Sequence, residues 1–145
     1  MPRSTGPLLL LDTHVWLWLL RGVEGTLPPS IVTALRRASR DGAILVSILS
    51  VWEAAMLHAR GRMRITISID EWVERGLRAP GIRLIELSPE VAIESTRLPG
   101  SPHRDPIDRI LVATARRTGA QLVTRDQRIL AYARSGHLSV VDATP

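Results

Sequence analysis

The chain of 145 residues contains no cysteine. That absence excludes disulfides, thiolate zinc sites and a cysteine nucleophile together. Lysine is absent as well, so all 19 basic residues are arginine. Without lysine there is no Walker-type phosphate loop, no Schiff-base chemistry and no serine–lysine dyad. Long apolar runs are missing too. Hydrophobic residues make up 45% of the chain, but the apolar stretches are broken by charge or are too short to cross a bilayer. The opening Met-Pro-Arg-Ser-Thr-Gly-Pro has no apolar segment ahead of a small-residue cleavage site, so it does not read as a signal peptide. The expectation is a cytoplasmic protein that does not engage a membrane.

What is present fits one domain over residues 1–145, long enough to bury a core without cross-links. The net charge of +5 and a pI near 11.3 point toward polyanions. Arginine pairs with phosphate through a planar fork that is always ionised. Biased use of arginine over lysine explains the same figures, so charge supports a nucleic-acid partner without establishing one.

Strand and helix signals alternate along the chain. Leu8 to Leu11 form a short apolar run that ends in Asp12 and Thr13, as in a buried strand leading into a helix. From His14 to Leu20 the next segment is apolar on every face, which predicts burial or a covering partner. Pro28-Pro29-Ser30 opens a helix that Asp41-Gly42 stops. Ala43 to Ser47 read as a strand, with a helix from Ala54 to Arg60. Ile65, Ile67 and Ile69 fit a short edge strand or an extended connection. Asp70 suits the cap of the helix after it. Ile82 to Leu87, Gln121 to Thr124 and Leu138 to Val141 read as further strands. Helices are expected after Ser88, over Asp105 to Thr118 and over Asp126 to Arg134. Such alternation predicts an α/β fold with a parallel, helix-covered sheet.

Four carboxylates, Asp12, Glu53, Asp108 and Asp126, fall where a strand ends or the next helix begins. Each has a structural explanation. Asp12 and Asp126 suit helix caps, Ser50 and Glu53 have the spacing of a capping box, and Asp105-Pro106-Ile107-Asp108 reads as a cap, a first-turn proline and a dipole-favouring acid. Together they say more. Parallel strands bring their carboxyl ends to one edge, where open α/β folds keep their active sites. Acids gathered there repel one another unless a cation intervenes, and Mg2+ or Mn2+ takes such hard oxygen ligands. Facing an arginine-rich surface, the chemistry this favours is phosphodiester hydrolysis. Asp12, Glu53 and Asp108 rank as ligands and Asp126 as a fourth, with Asp105 as the cap of its helix. Thr13 and Thr124 are placed to orient a ligand, although threonine at a strand end is also an ordinary cap. Arg104, Arg109 and Arg125 flank the acids as candidate substrate-phosphate contacts or as plain ion-pair partners. His103 is a loop residue before Asp105 that could contact substrate, and the four tryptophans read as core or interface.

The phrases Leu-Leu-Leu-Asp-Thr-His-Val-Trp-Leu-Trp (Leu9 to Trp18), Ser-Val-Trp-Glu (Ser50 to Glu53), His-Arg-Asp-Pro-Ile-Asp-Arg-Ile-Leu-Val-Ala-Thr-Ala (His103 to Ala115) and Leu-Val-Thr-Arg-Asp (Leu122 to Asp126) resemble, in order, the motifs of PIN-domain proteins of the VapC toxin type. The resemblance implies a PIN-like α/β/α sandwich and a Mg2+- or Mn2+-dependent endoribonuclease. It further implies an RNA substrate, neutralisation by a VapB-like antitoxin, and a homodimer. By position, Asp12, Glu53, Asp108 and Asp126 match the family's acidic site, Asp126 at its most variable place. Grooves near the early helices receive antitoxin or a second subunit in such toxins, so exposure of Trp16 or Trp18 would suit that use and burial would suit the core. Two other readings stay open: a PIN-domain nuclease of RNA processing or DNA repair, and a non-catalytic binding module whose acids only cap helices.

Overall fold

The computed structural model describes residues 6–21 and 26–145; residues 1–5, part of the segment read as no leader, lie outside them. Five strands, β1 (Leu9–Leu11), β2 (Ile44–Ser47), β3 (Ile82–Ile85), β4 (Gln121–Thr124) and β5 (Val140–Asp142), pair in the order β3-β2-β1-β4-β5. Every pairing is parallel. Among the described residues seven helices accompany them: α1 (Thr13–Arg21), α2 (Pro29–Arg40), α3 (Ile48–Ala59), α4 (Ile69–Arg78), α5 (Pro89–Ser95), α6 (Pro106–Thr118) and α7 (Gln127–Ala133).

The period of two along each strand divides the core into two layers. Leu9, Leu11, Ile44, Val46 and Val123 pack with Val15, Trp16, Ile31, Leu35 and Ala54 on one face. Leu10, Leu45 and Leu122 pack with Val91, Leu111, Val112 and Ile129 on the other. Helices α1 to α4 therefore cover one side and α5 to α7 the other, the expected α/β/α sandwich. No helix among the described residues is long and apolar enough to cross a membrane.

Helix α1 resolves the question raised by its all-round apolarity. Trp16 is fully buried and meets Trp72 of α4 edge-on at 5.4 Å between centroids, so it is core. Trp18 is half-buried beneath the guanidinium of Arg125. Gly81, at φ +79, lies so close to the Ser39 backbone that an added Cβ would fall 2.2 Å from the Ser39 carbonyl oxygen. Only glycine accommodates both that conformation and that approach.

Two local expectations are corrected, and a third is decided between its two alternatives. The capping box at Ser50 does not form, because β2 runs into α3 without a loop and Ser47 is the cap, accepting from the Leu49 amide at 3.0 Å. Ser50 consequently sits inside the helix. Asp70 is not a cap either: Ser68 accepts from the Glu71 amide at 3.1 Å and leaves Asp70 in the first turn. Ile65 and Ile67 belong to an extended connection with no strand partner.

Candidate active site at the carboxyl edge of the sheet

The strand order reverses at the centre: from β1 the chain steps outward to β2 and β3, then returns to the other side of β1 as β4. Such a switch point opens a crevice beyond the carboxyl ends of the two central strands. Asp12 follows β1 directly, and Thr124 ends β4.

The two strands are tied together by side chains. Thr124 donates its hydroxyl to Asp12 Oδ2 at 2.7 Å and accepts from the Asp126 amide at 3.0 Å. The Thr13 amide donates to Asp12 Oδ1 at 2.7 Å, so each oxygen of Asp12 has a donor. Thr13 points its hydroxyl elsewhere, donating to Ser50 Oγ at 2.8 Å. Thr13, Ser50 and Thr124 are all fully buried. Burial raises the Asp12 carboxyl above its ordinary value, against the lowering effect of these two hydrogen bonds.

Asp108 stands on the first turn of α6, whose cap is Asp105; Asp105 Oδ1 accepts from the amides of Ile107 at 2.9 Å and Asp108 at 3.1 Å. Asp105 is the cap of its helix, as the sequence suggests. Asp108 is pushed from 3.8 up to about 7, first by burial and then by the negative charges of Asp12, Asp105, Asp126 and Glu53. Those four acids are therefore near enough to be felt across the crevice, Glu53 least. Asp126 does cap α7, accepting at Oδ1 from the amides of Arg128 at 2.8 Å and Ile129 at 3.2 Å. Capping and membership of the acidic crevice coexist in this residue. Glu53, half-buried on α3, makes no side-chain hydrogen bond or ion pair among the described residues.

The flanking arginines separate by task. Arg109 donates from Nε to the Ser95 carbonyl at 2.8 Å, joining α6 to α5. Arg125 stacks on Trp18 at 3.8 Å and donates to the Thr26 carbonyl. Arg104 is exposed. Ser50 was not anticipated: read as a cap, it is instead a buried partner of Thr13. His103, read as a loop residue that could contact substrate, has its Nδ1 3.5 Å from Asp108 Oδ2.

Among the described residues no three acidic or histidine side chains converge tightly enough to enclose one ion directly. The donor set nevertheless suits a small hard cation, which keeps several of its waters and needs only one or two carboxylates. Uncompensated charge around Asp108 is the feature such an ion would relieve.

Fold and site define a class: a three-layer α/β protein with an acidic crevice at the switch point of a parallel sheet. The chain belongs to the PIN-domain family, whose sequence profile matches residues 9–135. Ribonuclease VapC22 of Mycobacterium tuberculosis is 31% identical to it over 124 residues, 86% of this chain and 91% of that protein. In fold it is similar to a chain of DNA-bound VapBC from Salmonella typhimurium, with a TM-score of 0.66 and 15% identity, covering 96% of this chain and 100% of that one. A chain of VapBC2 from Rickettsia felis, bound to a promoter DNA fragment, matches with a TM-score of 0.65 and 14% identity over 94% of this chain and 99% of that one.

Proposed function

We propose that this protein is the toxin of a toxin–antitoxin pair, an endoribonuclease that depends on Mg2+ or Mn2+ and hydrolyses RNA phosphodiester bonds in the cytoplasm. The observation that carries the reading is the gathering of Asp12, Asp126 and Glu53 about Asp108 at the β1/β4 switch point, where burial first and then the neighbouring negative charges raise Asp108 to about 7. The 31% identity to a ribonuclease supports it.

Asp12 and Asp108 are the principal ligands in this reading, with Glu53 and Asp126 completing the acidic ring. Thr124 holds Asp12 in a fixed orientation, and Thr13 fixes it through the backbone. A bound divalent ion supplies Lewis acidity toward water and the attacked phosphate. Arg104, exposed beside the crevice, is the flanking arginine free to meet RNA phosphate, whereas Arg109 and Arg125 brace the scaffold. A VapB-like antitoxin is the proposed partner, as the VapBC neighbours suggest. A second copy would cover large apolar side chains left in solvent, of which Trp52, 51% exposed, and Ile93, 52% exposed, stand out.

The test is cleavage of a mixed RNA pool with Mg2+ or Mn2+, together with growth on expression of the chain alone. Metal-dependent cleavage and growth arrest by the wild type, both lost in Asp12→Asn, are expected. No cleavage by the wild type, or equal cleavage by Asp12→Asn, overturns the nuclease; cleavage without growth arrest overturns the toxin.

A further inference from the structure

Beside the acidic crevice lies a cavity of about 800 Å3, lined by the loop that precedes α6 and by α7. The volume falls within the roughly 300–1,000 Å3 typical of ligand pockets. Among the described residues its lining includes His103, Arg104 and Arg128 and no carboxylate, so its charge is opposite to that of the crevice it adjoins. Arg104 and Arg128 are both exposed. Tyr132 also lines it, fixed by the bond from its hydroxyl to the Pro99 carbonyl at 2.7 Å.

His103 joins the two regions and holds an internal conflict. Its Nδ1 accepts from the Asp105 amide at 2.8 Å, while its Nε2 stands 2.7 Å from Arg128 Nη1. The amide N–H and the guanidinium are donors, and a neutral imidazole has only one nitrogen able to accept. In either neutral tautomer one ring N–H therefore faces another donor; in the imidazolium both do. In the tautomer that accepts from the Asp105 amide at Nδ1, the mismatch falls on the side that opens to the cavity. An anionic oxygen in the cavity, with Nε2–H and Arg128 drawn apart to face it, would accept from both and remove the conflict.

We infer that this cavity is a phosphate subsite for RNA, in which Arg128 and His103, with Arg104 beside them, hold the phosphate next to the one that is cleaved. The inference rests on the ribonuclease reading above. His103 reaches Asp108 at 3.5 Å on one side and the cavity on the other, which makes an adjacent phosphate of the same strand the natural occupant. Arg128 thereby becomes a substrate-positioning residue that binds the chain without entering the chemistry.

The experiment uses the full chain and a short RNA whose cleavage site has been mapped with the wild type. Arg128→Gln should raise KM by about tenfold, the worth of one charge-assisted hydrogen bond, with kcat close to wild type. Arg128→Lys should fall between the two. Replacing the neighbouring phosphate by a neutral methylphosphonate should impose the same KM penalty on the wild type and add nothing in Arg128→Gln. If Arg128→Gln fails to fold by circular dichroism, Arg128→Lys is read in its place, with a smaller rise in KM and a smaller methylphosphonate penalty than in the wild type. Cleavage with an unchanged KM in the variant, or penalties that multiply in full, overturns the subsite while leaving the ribonuclease intact. A wild type that cuts no RNA with either metal overturns both.

Discussion

Asp12 and Asp108 are both aspartates pushed upward by burial in the same crevice, yet the protein treats them in opposite ways. Each oxygen of Asp12 receives a donor, one from the Thr13 backbone and one from Thr124. The carboxylate is built into the joint between β1 and β4. Among the described residues Asp108 has no donor at a normal hydrogen-bond distance, only His103 at 3.5 Å, and four acids press on it. The difference assigns the roles: Asp12 is held in place by the fold, whereas Asp108 leaves a charge to be balanced from outside. A cation is the natural counterpart of that asymmetry.

The comparison breaks most sharply at Asp12. Asp12→Asn should lower RNA cleavage by about 10²-fold or more, the scale on which preorganised electrostatic groups act, as measured by kcat on a defined oligonucleotide. Next in size, Thr124→Val should reduce kcat by about tenfold through loss of the bond that orients Asp12. If cleavage is unchanged in Thr124→Val, that joint has no part in catalysis.

Asp108 sharpens the comparison through pH. Its folded value of about 7 lies above the ordinary 3.8. Above pH 7 it is ionised in both states, and the folded chain bears the whole penalty. Between pH 7 and 3.8 the folded form is protonated and the unfolded form is not, so the metal-free protein gains stability as pH falls through this window. The raised Asp12 acts in the same direction. Urea midpoints at pH 8 and pH 5 should show the increase, and Asp108→Asn should flatten it. The smallest effect is a rise of a few degrees in the metal-free melting temperature of Asp108→Asn at pH 8, from relief of repulsion.

Much of this arrangement was legible in the sequence because strands end where apolar runs meet acids. Asp12 after Leu11, and Thr124 two residues before Asp126, mark β1 and β4 as clearly in the chain as in the sheet. Asp105-Pro106 likewise announces a cap and leaves Asp108 for another task. What could not be read depends on contacts between distant elements. Nothing local says that Thr13 will bond Ser50, 37 positions away; Thr124 was marked to orient a ligand carboxylate, but which one it reaches, Asp12 across 112 positions, depends on the sheet. Ser50 misled because β2 passes into α3 with no intervening loop, which moves the cap to Ser47. Arg109 and Arg125 were marked by their sequence neighbours, but their observed partners, the Ser95 carbonyl and the Trp18 ring, come from other elements.

The most direct test of the central claim is thermal melting of wild type and Asp108→Asn during a Mn2+ titration. Binding to the native state alone contributes about 2.7 kcal/mol at a hundredfold excess over Kd. The wild type should therefore gain melting temperature with Mn2+, while Asp108→Asn starts higher without metal and does not respond. A wild type indifferent to Mn2+, or an Asp108→Asn variant less stable than wild type without metal, would contradict the account.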